Sequence, residues 1–190
     1  MNISLAQYNV NPSFGAQIVQ SKYLEKGKRY ALRDASIEEK YNFYRALEVI
    51  KNDKEHDTFI IRGAPKSNTA PIDKPRDWMV IIDGKTVYSG PGIPTGSITD
   101  GSQALRNTVD YVKQKYGYAE MDKYTKECVN DYHQLGEQYK ELGKSKKKHH
   151  SAEFHRLQEE YQAAHDFANA YLNYKIKEIL DEKNTEVIWK

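Results

Sequence analysis

Cysteine is nearly absent: Cys128 stands alone among 190 residues. One thiol cannot close an intramolecular disulfide, and it leaves no Cys-rich zinc module, which fits a reducing compartment. Long apolar runs are missing too. Nothing approaches the roughly 18 consecutive apolar residues of a membrane-spanning helix, and residues 1–10 lack a basic segment followed by an apolar one. These absences point to a cytoplasmic protein with no membrane partner. Charge of one sign is also scarce, with a formal net charge of +2. That is too little for wholesale nucleic-acid binding.

What is present is aromatic and unevenly charged. Fifteen tyrosines, with abundant Lys, Asn and Ile, suggest an AT-rich bacterial or phage genome. The first 117 residues carry 17 Lys+Arg against 13 Asp+Glu, and the rest carry 12 against 14. Within that acidic C-terminal part, four lysines fall inside residues 144–148. Positive charge is therefore local.

Hydrophobic periodicity divides the chain into four parts. Residues 1–15 have no clear period and read as a loose N-terminal arm that Phe14 could anchor. Residues 16–23 read as a strand. Ser36 and Glu39 have capping-box spacing, and Ile37, Tyr41, Tyr44, Leu47 and Ile50 follow at steps of three and four, an amphipathic helix to about Asn52. "DTFIIRG" and "DWMVIIDGKTVYSG" read as strands, and Asp83-Gly84 has the composition of a type I′ hairpin turn. The run "WMVII" predicts a strand buried on both faces, and the intervening "APKSNTAPIDKPRD", with three prolines, predicts a surface loop. Leu105, Val109, Val112 and Tyr116 then mark a helix closed by Gly117, with a second capping-box spacing at Asp100 and Gln103. The expectation for 16–117 is an α+β domain in the order β-α-β-β-β-α, its small, mostly antiparallel sheet covered by helices on one face.

Residues 118–184 differ in character. Met121, Cys128, Leu135 and Leu142 recur at sevens with Tyr124, Tyr132 and Tyr139 between them, a helix over 119–142 of about 36 Å. Phe154, Leu157, Tyr161, Ala164, Ala168, Tyr171 and Ile179 continue the period. The short link predicts a long antiparallel helical hairpin, coiled-coil-like, with a basic tip. Residues 185–190, "TEVIWK", predict a short C-terminal strand.

The segment "LGEQYKELGKSKKKHH" is not a nucleotide loop. Gly136 lies seven positions before Gly143 inside a helix whose amides are already used, and "GKS" sits at a helix exit where the dipole repels anions. Cations at such an exit serve solubility by default. The functional alternative is a partner-binding knob of Lys144, Lys146, Lys147, Lys148, His149, His150 and Arg156, contacting phosphates or an acidic surface without base readout.

Three weaker signals remain. The Gly-rich "SGPGIPTGSITDGSQ" has two prolines that remove amide donors and Asp100 at the cap, so a connector outweighs a phosphate site. His133, His155 and His165 lack the Glu-x-x-His pattern of a helical metal site. Cys128 and His165 would face each other if the hairpin folds near residue 146, which leaves a Cys/His nucleophile open, although a free Cys is usually a small hydrophobe.

The order α-β-β-β-α between Ser36 and Gly117 resembles that of double-stranded-RNA-binding domains. "TDGSQALRN" sets Arg106 beside Asp100 where those domains place lysines, and the chain is not assigned to them. The leading expectation is a non-enzymatic interaction protein without cofactor or metal. It would bind a protein or nucleoprotein through the hairpin and its tip, as a bacterial or phage-borne modulator or inhibitor. Direct nucleic-acid binding, with Lys66, Lys74 and Arg76 assisting, is the second reading, and a small enzyme with its site at 90–100 or at Cys128/His165 the third. A homodimer through the hairpin is compatible with each.

Overall fold

A computed structural model describes residues 16–63, 76–93, 99–144 and 151–182. The expected N-terminal arm, the proline-rich loop with Lys66 and Lys74, the tip residues 146–150 and the C-terminal strand lie outside the described residues. Nine elements follow in order: β1 (Gln17–Val19), α1 (Lys22–Arg33), α2 (Ile37–Lys51), β2 (Thr58–Gly63), β3 (Arg76–Ile82), β4 (Lys85–Ile93), α3 (Thr99–Tyr116), α4 (Lys123–Gly143) and α5 (Ala152–Glu182). The protein is α+β, with five helices and one four-stranded mixed sheet of order β1-β2-β3-β4 among the described residues.

Residues 16–23, expected as one strand, instead form a three-residue strand running straight into an unexpected helix. Ser21 caps α1, its Oγ accepting from Leu24 N–H at 3.2 Å and donating to the Ile61 carbonyl. The buried stripe of α1 is Leu24, Gly27 and Ala31. Two of those three residues are small, so the stripe carries almost no hydrophobic signal. Their smallness is the point of the packing: a Cβ on Gly27 would lie 3.2 Å from Leu105 N, and one on Gly101 of α3 would lie 2.9 Å from the Lys26 carbonyl oxygen. Reciprocal glycines thus let the α1 and α3 backbones approach closely.

α2 forms as its sequence predicts. Glu39 N–H donates to Ser36 Oγ at 3.2 Å and Ser36 N–H to Glu39 Oε2 at 3.1 Å, closing the capping box. Its buried face holds Ile37, Phe43, Tyr44, Ala46, Leu47 and Ile50, with Lys40 among them. At Asp83-Gly84 both residues have positive φ, 47° and 77°, as the hairpin turn requires. The Asp83 side chain also ties the turn to the start of β2. Its Oδ1 accepts from the N–H groups of Asp57 (2.8 Å) and Thr58 (2.9 Å), which hold its carboxyl below the ordinary range.

The expectation that β3 is buried on both faces fails. Trp78, Val80 and Ile82 are buried, whereas Met79 and Ile81 are half-buried. Register carries this alternation across the sheet: Ile18 pairs with Phe59, Phe59 with Ile82 and Ile61 with Val80, all on the buried face. β1 runs parallel to β2, and the other two pairings are antiparallel. α3 begins at Thr99, one residue ahead of Asp100, and Gln103 Nε2 donates forward to Asn107 Oδ1 at 2.7 Å, while the Asp100 side chain of the second capping-box spacing lies outside those described. Gly117 closes α3 as expected, at φ 77° with its N–H on the Lys113 carbonyl at 3.0 Å.

α4 starts at Lys123, four residues later than its heptads predict, because Asp122 caps it: Thr125 donates to Asp122 through N–H and Oγ1, both at 2.8 Å. α5 has 31 residues, roughly 46 Å at the helical rise. The two helices are antiparallel, for Tyr124 meets Tyr171, Tyr132 meets Tyr161, and Tyr139 meets Phe154. Ala168, Leu172, Ile176, Ile179 and Leu180 join one hydrophobic core with the sheet and α2. The inner part of α5 is therefore fastened to the α+β body.

Candidate interaction surface on the helical hairpin

Polar pins set the seat of α5. Lys40, 1% exposed, extends its ammonium from α2 to the Ala31 carbonyl and to Asn173 Oδ1 at 2.8 Å. Asn173 Nδ2 donates in turn to the Leu32 carbonyl at 3.2 Å. Burial lowers the Lys40 pKa to about 8 against the opposing pull of Asp34. Gln20 Nε2 donates to the Leu180 carbonyl at 2.6 Å, and Lys28 pairs with Asp181 at 3.2 Å. Two helices, α1 and α2, and the link before α1 thus hold the inner part of α5.

The outer hairpin has no such seat. Within 134–144 and 151–163 only Gly136 and Leu157 are buried. Its coherence comes from aromatic stacking: Tyr132 on Tyr161 (5.4 Å), Tyr161 on Tyr139 (5.6 Å) and Tyr139 on Phe154 (5.0 Å). Gly136 makes room for that ladder, since a Cβ there would lie 3.1 Å from the Tyr161 ring. Near its inner end His133 Nε2 lies 3.4 Å from Glu38 Oε2.

Of the basic knob, two residues are described. Lys144 is the C-cap of α4, its N–H bonded to the Lys140 carbonyl at 3.2 Å and its ammonium paired with Glu141. Arg156 Nε lies 3.6 Å from Glu160 Oε1, with 72% of its side chain exposed. Both cations are solvent-facing and both have an acidic neighbour within a helical turn, so no surplus positive charge comes from these flanks. The tip's charge excess resides in Lys146, Lys147 and Lys148. The side chains of Arg76 and of residues 91–100 are not among those described. Gly90, at the edge of that loop, has a packing reason to be glycine: a Cβ would lie 2.7 Å from the Tyr88 ring and 2.8 Å from Trp78 Nε1.

The inner edge of the hairpin carries a feature that sequence periodicity missed. Tyr124 and Phe167 are 53% and 52% exposed, large aromatics in water that meet edge to face at 6.4 Å, with Tyr171 beside both at ring distances of 5.3 and 6.5 Å. They border a pocket of about 260 Å³ lined by Tyr124, Glu127, Cys128, Asp131, Ala164 and Phe167. Phe167, Tyr171 and Tyr174 form a second helical stripe beside the buried one, a spacing visible in the sequence but masked by its stronger neighbour. Cys128 and His165 share no hydrogen bond among the described residues. The thiol lies in the pocket wall, its pKa raised by burial and by Asp131. The imidazole is absent from that lining, with Nδ1 3.1 Å from Asp166 Oδ1 and its ring beside Tyr132 at 5.8 Å.

Among the described residues no group of three or more His, Cys, Asp or Glu is placed to hold a metal ion, and no helix is long and apolar enough to cross a membrane. No family model, curated protein or solved structure matches this chain.

Proposed function

We propose that this chain is a non-enzymatic interaction protein that binds a macromolecular partner, a protein or nucleoprotein, through the helical hairpin and its basic tip. A bacterial or phage-borne modulator or inhibitor of that partner is the role most in keeping with the composition. One observation carries the reading: a long helix pair is fastened to the body at its inner end, while its outer end buries only Gly136 and Leu157 among the described residues. Two helices that satisfy only one stripe each leave their remaining surface to water or to a partner. Fixing such an arm in advance lowers the ordering cost of binding.

The test is a pull-down from bacterial lysate with wild type and a variant carrying Lys144→Ser, Lys146→Ser, Lys147→Ser and Lys148→Ser, with and without nuclease. A protein captured despite nuclease and lost in the variant supports the proposal. Nucleic acid alone, lost in the variant, replaces it with direct nucleic-acid binding. Equal recovery by both proteins removes the tip from the binding surface, and capture of a second copy of the chain makes the hairpin a homodimer interface.

A further inference from the structure

We propose that the pocket beside the Tyr124–Phe167 ring pair receives a basic side chain, arginine or lysine, projecting from a protein partner. This rests on the hairpin being the docking element, but not on the basic tip.

Size narrows the occupant first. A pocket of about 260 Å³ is smaller than the roughly 300 to 1,000 Å³ of sites that enclose a drug-sized molecule. It suits one anchoring side chain. Its lining joins Cys128, Ala164 and the two exposed aromatics to two carboxylate residues, Glu127 and Asp131. On α4, residues 124, 127, 128 and 131 share one face by helical spacing.

Charge then selects the occupant. Asp131 has no hydrogen-bond or ion-pair partner among the described residues. Glu127 has only Lys123 at 3.5 Å, an exposed pair of side chains 89% and 57% accessible, which is weak and easily exchanged. An apolar anchor would gain nothing from the two carboxylates, and a phosphate would be repelled by them. A guanidinium or ammonium gains the carboxylates and the aromatic rings together. The chain already uses this chemistry elsewhere: the Arg45 guanidinium lies 4.2 Å from the centre of the Tyr118 ring and 5.4 Å from that of Tyr41. Exposed aromatics, and arginine on the partner, are among the residue types enriched at interface anchors.

The test uses the full chain and a fluorescein-labelled peptide of four Gly-Ser-Arg repeats, with Gly-Ser-Leu and Gly-Ser-Glu repeats as comparators. Binding is read by anisotropy, and contact by the ring NMR signals of Phe167. The arginine peptide should bind and move the Phe167 signals, and the comparators should not. Glu127→Gln with Asp131→Asn, or Tyr124→Ala with Phe167→Ala, should each weaken it about tenfold. Glu153→Gln with Glu159→Gln makes the same charge change on the outer arm and should leave binding within about twofold. Equal losses from the pocket and outer-arm pairs would reduce the effect to general electrostatics and overturn the proposal. So would static Phe167 signals, or a leucine peptide that binds as well. The variant with four tip lysines changed to serine should bind the arginine peptide as wild type does, so failure at the tip and failure at the pocket are read separately.

Discussion

The two parts of α5 share one helix and one apolar period, yet they live in different surroundings. Residues 168–182 bury Ala168, Leu172, Ile176, Ile179 and Leu180 in the common core. Residues 152–166 bury Leu157 alone and otherwise lean on α4 through stacked rings. The difference shows that periodicity reports a face, and that the depth of burial is decided by what lies opposite. Opposite the inner part stands α2, itself seated in the common core; opposite the outer part stands a single helix.

Truncation at matched positions should expose that contrast most strongly. Leu172→Ala removes a side chain at 0% exposure and should cost about 3 kcal/mol, against about 1 kcal/mol for Leu157→Ala at the two-helix seam. Urea denaturation of the two variants checks the ratio, and equal losses would mean that the outer hairpin is as tightly seated as the inner one.

Next in size, Gly101→Ala should destabilise by about 2 kcal/mol, because its Cβ meets the Lys26 backbone carbonyl rather than a movable side chain. Glycine at 84 has open space instead, and Gly84→Ala would suffer only from its positive φ. Thermal melts of both variants separate a packing glycine from a turn glycine.

The pin at Lys40 gives a pH test. Its folded pKa is lowered to about 8, below its ordinary value of 10.5, so between those values the unfolded chain holds a proton that the folded chain has released. Stability contributed by this group therefore rises with pH across that window, by up to about 1.4 kcal/mol per unit. Tyr44, Tyr111 and Cys128, whose pKa values burial raises, act in the opposite sense at alkaline pH. Subtracting the pH profile of Lys40→Met from that of wild type cancels them. The difference should climb from pH 8 toward pH 10, and a flat difference would mean that the ammonium is not desolvated.

The smallest effect belongs to the pocket aromatics. Tyr124→Ser and Phe167→Ser, each at a half-exposed ring, should shift stability by no more than about 0.5 kcal/mol. A larger loss would make them part of the hairpin's own packing.

Much of this architecture is written locally and could be read. Ser36 and Glu39 announce the start of α2, Asp83-Gly84 the hairpin turn, and Gly117 the end of α3, because each depends only on neighbours in sequence. α1 was illegible for the opposite reason. Its face is Leu24, Gly27 and Ala31, chosen for closeness to α3, and small residues leave no hydrophobic trace. β3 misled because "WMVII" is apolar throughout, and only strand pairing decides which alternate residues meet the helices. The same limit applied to the candidate surface. The lysine cluster at 144–148 stands out by composition, while the pocket joins residues of α4 to Ala164 and Phe167, more than 30 positions away. Only the register of the helix pair brings them together.

Native-state hydrogen exchange along α5 tests the central claim, that one helix is half core and half free arm. The amides of 172–180 should exchange only through global unfolding, with free energies equal to that of denaturation, while those of 155–163 should exchange through local opening at clearly lower free energy. Uniform protection along the helix would contradict the account, because the outer hairpin would then be part of the folded core rather than an arm held out for a partner.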